Sequence, residues 1–219
     1  MRVAIAGGHG QIALRLERLL SARGDDVVGI IRRAEQAADL HAAGALPVVC
    51  DLEKASVADV AAHLSGVDAV VFAAGAGPAS GAPRKDTVDR AAAVLFADAA
   101  EAAGVPRYLM ISGKGVGTEP PAGTDPVFAV YLKAKAEADA DLRARAGLAW
   151  TILQPGPLTD EPATGRVTLA ESTPRGDVSR DDVALVLRAL LDEPGVAGRT
   201  LELVGGDTPV ADAVRSAVS

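Results

Sequence analysis

Seven short apolar runs, each followed by a stretch of helical character, constrain this chain more than any other feature. The runs fall at 2–6, 26–31, 46–50, 68–74, 107–112, 149–154 and 200–204. Between and after them the spacing predicts helices near 11–23, 33–43, 55–64, 84–103, 127–146, 179–192 and 208–217. Most of the runs are apolar on both faces, as strands are when helices cover both sides of a parallel sheet. Repeated strand–helix units with right-handed crossovers predict an α/β fold, a doubly wound parallel sheet. The whole of 1–219 reads as one domain, with 155–178 and 200–219 contributing a small C-terminal substrate-side lobe.

Two stretches break the rhythm. Residues 113–126 and 155–177 are rich in Gly, Pro, Thr and acidic residues and each follows a strand, so they are expected as loops at the carboxyl edge of the sheet. Ligands bind at that edge in open α/β sheets.

Composition removes several classes of function. A formal net charge of -7 argues against a face that grips a phosphate backbone, and 3% aromatic residues are too few for a base-stacking platform. The histidines, His9, His41 and His63, are scattered and no Cys/His cluster accompanies them, so no metal site is expected. No apolar run is long enough to span a bilayer and the first residues do not read as a signal peptide. The single cysteine, Cys50, excludes an internal disulfide and ends an apolar run, reading as a buried thiol. These features together predict a cytoplasmic protein, a monomer or homodimer, whose partner is a small molecule.

Function enters at Gly7-Gly8-His9-Gly10-Gln11-Ile12-Ala13. Glycine spacing alone is weak in a chain with 23 glycines. Here it directly follows the first strand and opens the first helix, the context a dinucleotide phosphate requires. Gly7 permits the tight turn, Gly10 lets the backbone approach a diphosphate and Ala13 lets helix and strand pack closely. The helix-start amides of Gln11 and Ile12 point at the anion, with His9 in the same loop.

The end of the second strand distinguishes the two nicotinamide dinucleotides. An acid there holds a free ribose 2′-hydroxyl, whereas arginine accepts a 2′-phosphate. Arg32 and Arg33 stand at that point, so NADP(H) is favoured over NAD(H), against the alternative of two solvated arginines starting a helix. Asp51 is placed to accept from the adenine amino group while Leu52 packs on the ring; the alternative is an N-cap for the next helix. Ala73, Ala74 and Gly75, at the end of the fourth strand, are small enough for a ribose to lie against the backbone.

Tyr131 and Lys135, at i and i+4 of a predicted helix, share one face. A phenol with a pKa near ~10 needs an adjacent ammonium to exchange protons at neutral pH. That pairing makes Tyr131 a candidate acid in carbonyl reduction and Lys135 a candidate for both acid activation and cofactor ribose binding. Ser112, ending the fifth strand, is a candidate to hydrogen-bond a substrate carbonyl. An ordinary exposed helix pair is the alternative. Asp89 either orders the helix near the cofactor or pairs with a neighbouring arginine, and Ser179 reads as a helix N-cap.

The stretches AIAGGHGQIA, GIIRR, CDLE, VVFAAG, DTVDRAAAVLFADAAEAAGVPRYLMIS, YLKAKAEAD, LAWTILQPGPLTDEP, VSRDDVA and TLELVGGDTPV cover nearly the whole chain. Together they resemble the atypical short-chain dehydrogenase/reductase superfamily, in particular its NAD(P)-binding group of NmrA-like proteins, biliverdin reductase B-like flavin reductases and bacterial NADH-flavin reductases. The resemblance implies a Rossmann-like, NADP-dependent fold. It places the nicotinamide near Lys135 and the backbone around Pro155, Gly156 and Leu158 against the nicotinamide amide. Gln154 stands where the family commonly carries Arg.

The leading expectation is therefore an NADPH-dependent reductase that passes a hydride to a small planar acceptor, a flavin, quinone or carbonyl compound. The alternatives are a redox sensor that binds NADP(H) without turnover and a nucleotide-sugar epimerase or dehydratase.

Overall fold

The computed structural model describes residues 1–77, 84–120 and 123–218. Its first strand, β1 (Arg2–Ala6), shows how the layers arise. Val3 and Ile5 point to one face of the sheet and Ala4 and Ala6 to the other, because successive side chains alternate. All four are fully buried, so both faces must be covered.

The remaining strands of the main sheet are β2 (Asp26–Ile31), β3 (Leu46–Val49), β4 (Ala69–Phe72), β5 (Arg107–Ile111), β6 (Ala149–Pro155), β8 (Arg166–Ala170), β10 (Arg199–Gly205) and β11 (Thr208–Pro209). A separate pair joins β7 (Leu158–Thr159) to β9 (Val178–Ser179). The helices are α1 (Gln11–Arg23), α2 (Ala37–Ala42), α3 (Val57–His63), α4 (Ala92–Ala102), α5 (Pro126–Arg143), α6 (Arg180–Leu191) and α7 (Val210–Ser216).

The order β11-β8-β10-β6-β5-β4-β1-β2-β3 is that of a doubly wound Rossmann-like sheet. Strands β3 through β10 in this order run parallel, and β8 and β11 add antiparallel partners at one edge. α1 and α6 cover the Val3–Ile5 face through Leu16, Leu20, Val183 and Leu187. The opposite face packs Phe72 and Tyr108 against Val60 of α3, Phe96 of α4 and Leu142 of α5.

Three local readings change. Residues 155–177, expected as a loop, contain β7 and β8; Val167 and Leu169 alternate inward in RVTLA and pair with Gly205 and Leu203. The expected helix 84–103 begins as a π-helical turn, Lys85–Ala91, before α4. Residues 208–217 open with the short β11 before α7. Residues 200–218 lie largely in the main sheet and the helix packed on it.

The chain winds from β1 outward to β3, then crosses back to β4 on the other side of β1, aligning Ala6 with both Ile30 and Phe72. That reversal opens a crevice beyond the carboxyl ends of β1 and β4.

Candidate cofactor and acceptor site

The glycine loop sits in this crevice because nothing larger fits. Gly7 and Gly8 donate their amides to the Ile30 carbonyl at 3.1 and 3.0 Å, and Gly10 closes the turn onto Gly7 O at 2.8 Å. Gly7 adopts φ +77°, and a Cβ there would lie 2.6 Å from Ala74 Cα. Gly10, at the N-cap of α1, supplies no capping side chain, so the first-turn amides face the crevice without one.

Two cavities flank the loop and share Ala73, Ala74 and Gly75. The first, about 330 Å³, is lined by Gly7, His9, Gly10, Arg32, Asp51 and Leu52 among others. The second, about 990 Å³, is lined by Ile12, Ser112, Tyr131, Lys135, Pro155, Gly156 and Leu158. Of the residues singled out in the sequence, Gln11 and Arg33 line neither cavity. Gln11 instead gives its carbonyl to Arg15 Nη1 at 2.9 Å, and the Arg33 amide bonds Gln36 Oε1 at 3.2 Å as a short helical turn begins.

Several assignments are refined. α3 is capped by Ser56, which accepts from the Asp59 amide at 3.2 Å, so Asp51 is not its cap. Asp51 instead closes its own turn, accepting from the Glu53 amide at 3.2 Å. Cys50 is half-buried and lines the first cavity, and burial, with Asp59 and Asp51 nearby, pushes its thiol pKa up. His9 bonds Asp39 at 2.7 Å.

Lys135 is 3% exposed and donates to the Ile111 carbonyl at 3.1 Å. Its ammonium lies 3.6 Å from Asp89 and 5.7 Å from the centre of the Phe72 ring. Burial pulls its pKa down, opposed by Asp89 and Asp139. Asp89, itself 1% exposed, also accepts from the Ala76 amide at 3.3 Å. It ties the end of β4 to the α5 lysine, while its neighbour Arg90 turns to Asp86 and Glu137.

Tyr131 lines the second cavity. Burial, reinforced by Asp89 and Asp139, pushes its phenol up to about 12. The Lys135 ammonium is engaged by Ile111 and Asp89. Tyr131 stacks on Phe128 at 5.6 Å between ring centres, and the buried Lys85 ammonium lies 5.3 Å from its ring centre. Lys85 is held there by the Gly77 carbonyl at 2.7 Å.

Ser112 lines the second cavity, but its hydroxyl donates to Asp139 at 2.9 Å. Gln154, in the position where Arg is common, donates to the same carboxylate oxygen at 3.0 Å. Asp139 has no exposed surface; burial drives its pKa up against these hydrogen bonds and the charges of Arg143 and Lys135. The Gly156 amide donates to Leu203 O at 2.9 Å, so this glycine faces the cavity without a free amide. The Lys114 ammonium pairs with Glu202 and with Thr173, fastening the loop after β5 to the sheet edge.

Sequence reasoning passed over Glu53, Arg84, Lys85 and Phe128, all of which line the cavities. Phe128 had a readable signal, being three residues before Tyr131 on one helix. Glu53 and Arg84 had none, since 31 residues separate them. Among the described residues no group of three or more His, Cys, Asp and Glu is arranged for a metal, and no helix is long and apolar enough to cross a membrane.

The crevice fits a nicotinamide dinucleotide: a glycine turn that admits no side chain, an uncapped helix start and two contiguous cavities. The sequence profile of the NAD(P)H-binding family matches residues 7–194. The chain is 38% identical over 216 residues to the Bacillus subtilis (strain 168) protein YhfK, which carries the name of an uncharacterized sugar epimerase, covering 98% of this chain and 99% of that protein. A Bacillus halodurans structure named for an NAD-dependent epimerase/dehydratase superimposes with a TM-score of 0.90 at 36% identity, covering 99% of each chain. The Lactococcus lactis oxidoreductase ylbE gives 0.86 at 27% identity, covering 99% of this chain and 96% of that one. The glycine turn, the switch-point crevice and these matches have one meaning: the chain belongs to the NAD(P)H-binding family.

Proposed function

We propose that the protein is an NADPH-dependent reductase acting on a small planar acceptor, a flavin, quinone or carbonyl compound. The observation that carries this reading is the second cavity. It offers about 990 Å³ beside the glycine turn, lined by the stacked Phe128 and Tyr131 rings and by the buried Lys135. A flat conjugated molecule gains most from such a wall, through burial and ring stacking.

A bound nicotinamide supplies the hydride. The chain's residues do the rest. Gly7, Gly10 and Ile12 bring backbone close to the dinucleotide; Ala73, Ala74 and Gly75 let it cross between the cavities. Arg32 supplies positive charge for a 2′-phosphate. Lys135, fixed by Ile111 and Asp89, would present its ammonium to the ribose side. Tyr131, at a pKa of about 12, is protonated throughout the physiological range and donates a hydrogen bond to an acceptor oxygen.

The name carried by YhfK favours a second reading, epimerisation of a nucleotide sugar, in which the cofactor is regenerated within one turnover. The two separate by stoichiometry. NADPH oxidation is followed with FMN, menadione and an aromatic aldehyde, and UDP-sugar interconversion is followed without added reductant. Net oxidation with one of the three acceptors is expected. Tyr131→Phe should lower kcat on the aldehyde by about 100-fold, the usual worth of a positioned proton donor, and alter flavin reduction by less than about threefold because the hydride passes directly to the ring. Tight NADPH binding without oxidation of any acceptor overturns the reductase reading in favour of a sensor, and sugar interconversion without net oxidation overturns it in favour of an epimerase.

A further inference from the structure

We infer that Glu53 limits this protein's preference for a 2′-phosphorylated dinucleotide by holding, in competition with the cofactor 2′-phosphate, the two guanidiniums that line the first cavity. The inference rests on reading that cavity as the adenosine half of the dinucleotide site. Glu53 Oε2 accepts from Arg84 Nη2 at 2.8 Å and from Arg32 Nη1 at 3.4 Å, while its Oε1 accepts from Thr87 Oγ1 at 2.7 Å. Its backbone amide is pinned to Asp51 Oδ1, so the carboxylate is delivered to this spot by the turn itself. Arg84 comes from the other side of the crevice, just ahead of the π-helical turn. The second cation of the cavity is therefore Arg84, and Arg33 stands outside.

The charge balance decides the consequence. Arg32 and Arg84 face Asp51 and Glu53 across the described lining, so the cavity carries little net positive charge. A phosphate monoester entering there brings up to two negative charges and needs the forked guanidinium donors that Glu53 already occupies. A free ribose 2′-hydroxyl brings no charge and can donate to Glu53 while the arginines stay where they are. Glu53 thus favours the unphosphorylated ribose and opposes the phosphorylated one. Arg84 and Thr87 hold its carboxyl below the usual carboxylate range, so it is ionised at neutral pH.

The test is calorimetric titration of the apoprotein with NADP⁺, NAD⁺, adenosine 2′,5′-bisphosphate and AMP. Glu53→Gln should tighten NADP⁺ and the bisphosphate about tenfold, the worth of one charge-assisted contact, and change NAD⁺ and AMP by less than about threefold. Arg84→Gln should weaken only the two 2′-phosphorylated ligands, again about tenfold, and carries the proposal if Glu53→Gln does not fold by circular dichroism. Arg33→Gln should leave the ratios unchanged. An unchanged NADP⁺/NAD⁺ ratio in Glu53→Gln, or an equal shift for all four ligands, overturns the proposal and leaves Glu53 a brace between β3 and the π-helical turn. A wild-type protein that binds NAD⁺ more tightly than NADP⁺ overturns the NADPH preference, while the shift in ratio still decides the role of Glu53. No binding of any of the four overturns both.

Discussion

Glu17, on α1, has no exposed surface, and both its carboxylate oxygens lack a hydrogen-bond partner among the described residues. It lies against the glycine loop and β2: a Cβ on Gly8 would fall 2.9 Å from its Oε1, and one on Gly29 2.7 Å. Burial raises its pKa to about 8, with only Arg18 opposing. The folded protein therefore keeps this carboxyl protonated at pH values where the unfolded chain, near 4.5, has ionised. Its contribution is whole below the unfolded pKa and is lost as pH rises to about 8, some 3 kcal/mol of it by pH 7. Glu17→Gln should match wild type at pH 4.5 and exceed it by about 4 kcal/mol at pH 8, measured by urea denaturation across that range. Parallel stability–pH curves for the two proteins would exclude an ionisable Glu17. Nothing in the helical spacing marks this residue, since a glutamate in a first helix ordinarily faces water. Lys135 is the opposite case. Its face was readable from its spacing to Tyr131, but its partner Asp89 lies 46 residues away and only packing of α5 against the π-helical turn joins them.

Elements in this fold are fastened at their ends by a few carboxylates. Asp182, in the first turn of α6, accepts from the Thr164 and Gly165 amides at 3.0 and 2.8 Å and from Ser179 Oγ at 3.0 Å. One side chain thus holds the approach to β8 on the start of the helix. Asp182→Ala removes all of these acceptors at once. It should cost about 2 kcal/mol in chemical denaturation and raise amide exchange over 162–168, with Ser179 still capping α6. Unchanged exchange in that segment would show that β8 is held by its pairing with β10 alone. The Ser179 cap was legible because a cap and its helix are adjacent in sequence; Ser179 Oγ accepts from the Asp182 amide at 2.9 Å. β8 was not legible, because RVTLA is short, sits among Gly and Pro, and becomes a strand only where β10 offers an edge. The π-helical turn at Lys85–Ala91 was hidden for a similar reason: its residues also suit an α-helix.

For the whole molecule, the cofactor crevice is a product of strand order. The loops after β1, β2, β3 and β4 contribute to the first cavity, and those after β5 and β6, with α5, help close the second. Binding across so many elements should couple strongly to global stability. NADPH at about 100 times its Kd should add about 2.7 kcal/mol, raising the melting temperature by roughly 5–10 °C for a domain of this size. Differential scanning fluorimetry with and without NADPH checks this, and an unshifted melt would argue against tight binding to the folded state.

By itself the sequence determined what local chemistry can determine: the alternation of strands and helices, the tight glycine turn between β1 and α1, the arginine after β2 and the shared face of Tyr131 and Lys135. Those properties lie within a few residues of one another and follow from backbone sterics and side-chain period. Tertiary structure alone decided that Arg84 rather than Arg33 joins Arg32, that Glu53 stands between them, and that Asp89 engages Lys135. It also decided that burial, with Asp89 and Asp139 nearby, drives the Tyr131 pKa up. The reason is physical: charge pairing and desolvation depend on distance and burial in space, and those are set only when remote segments pack together.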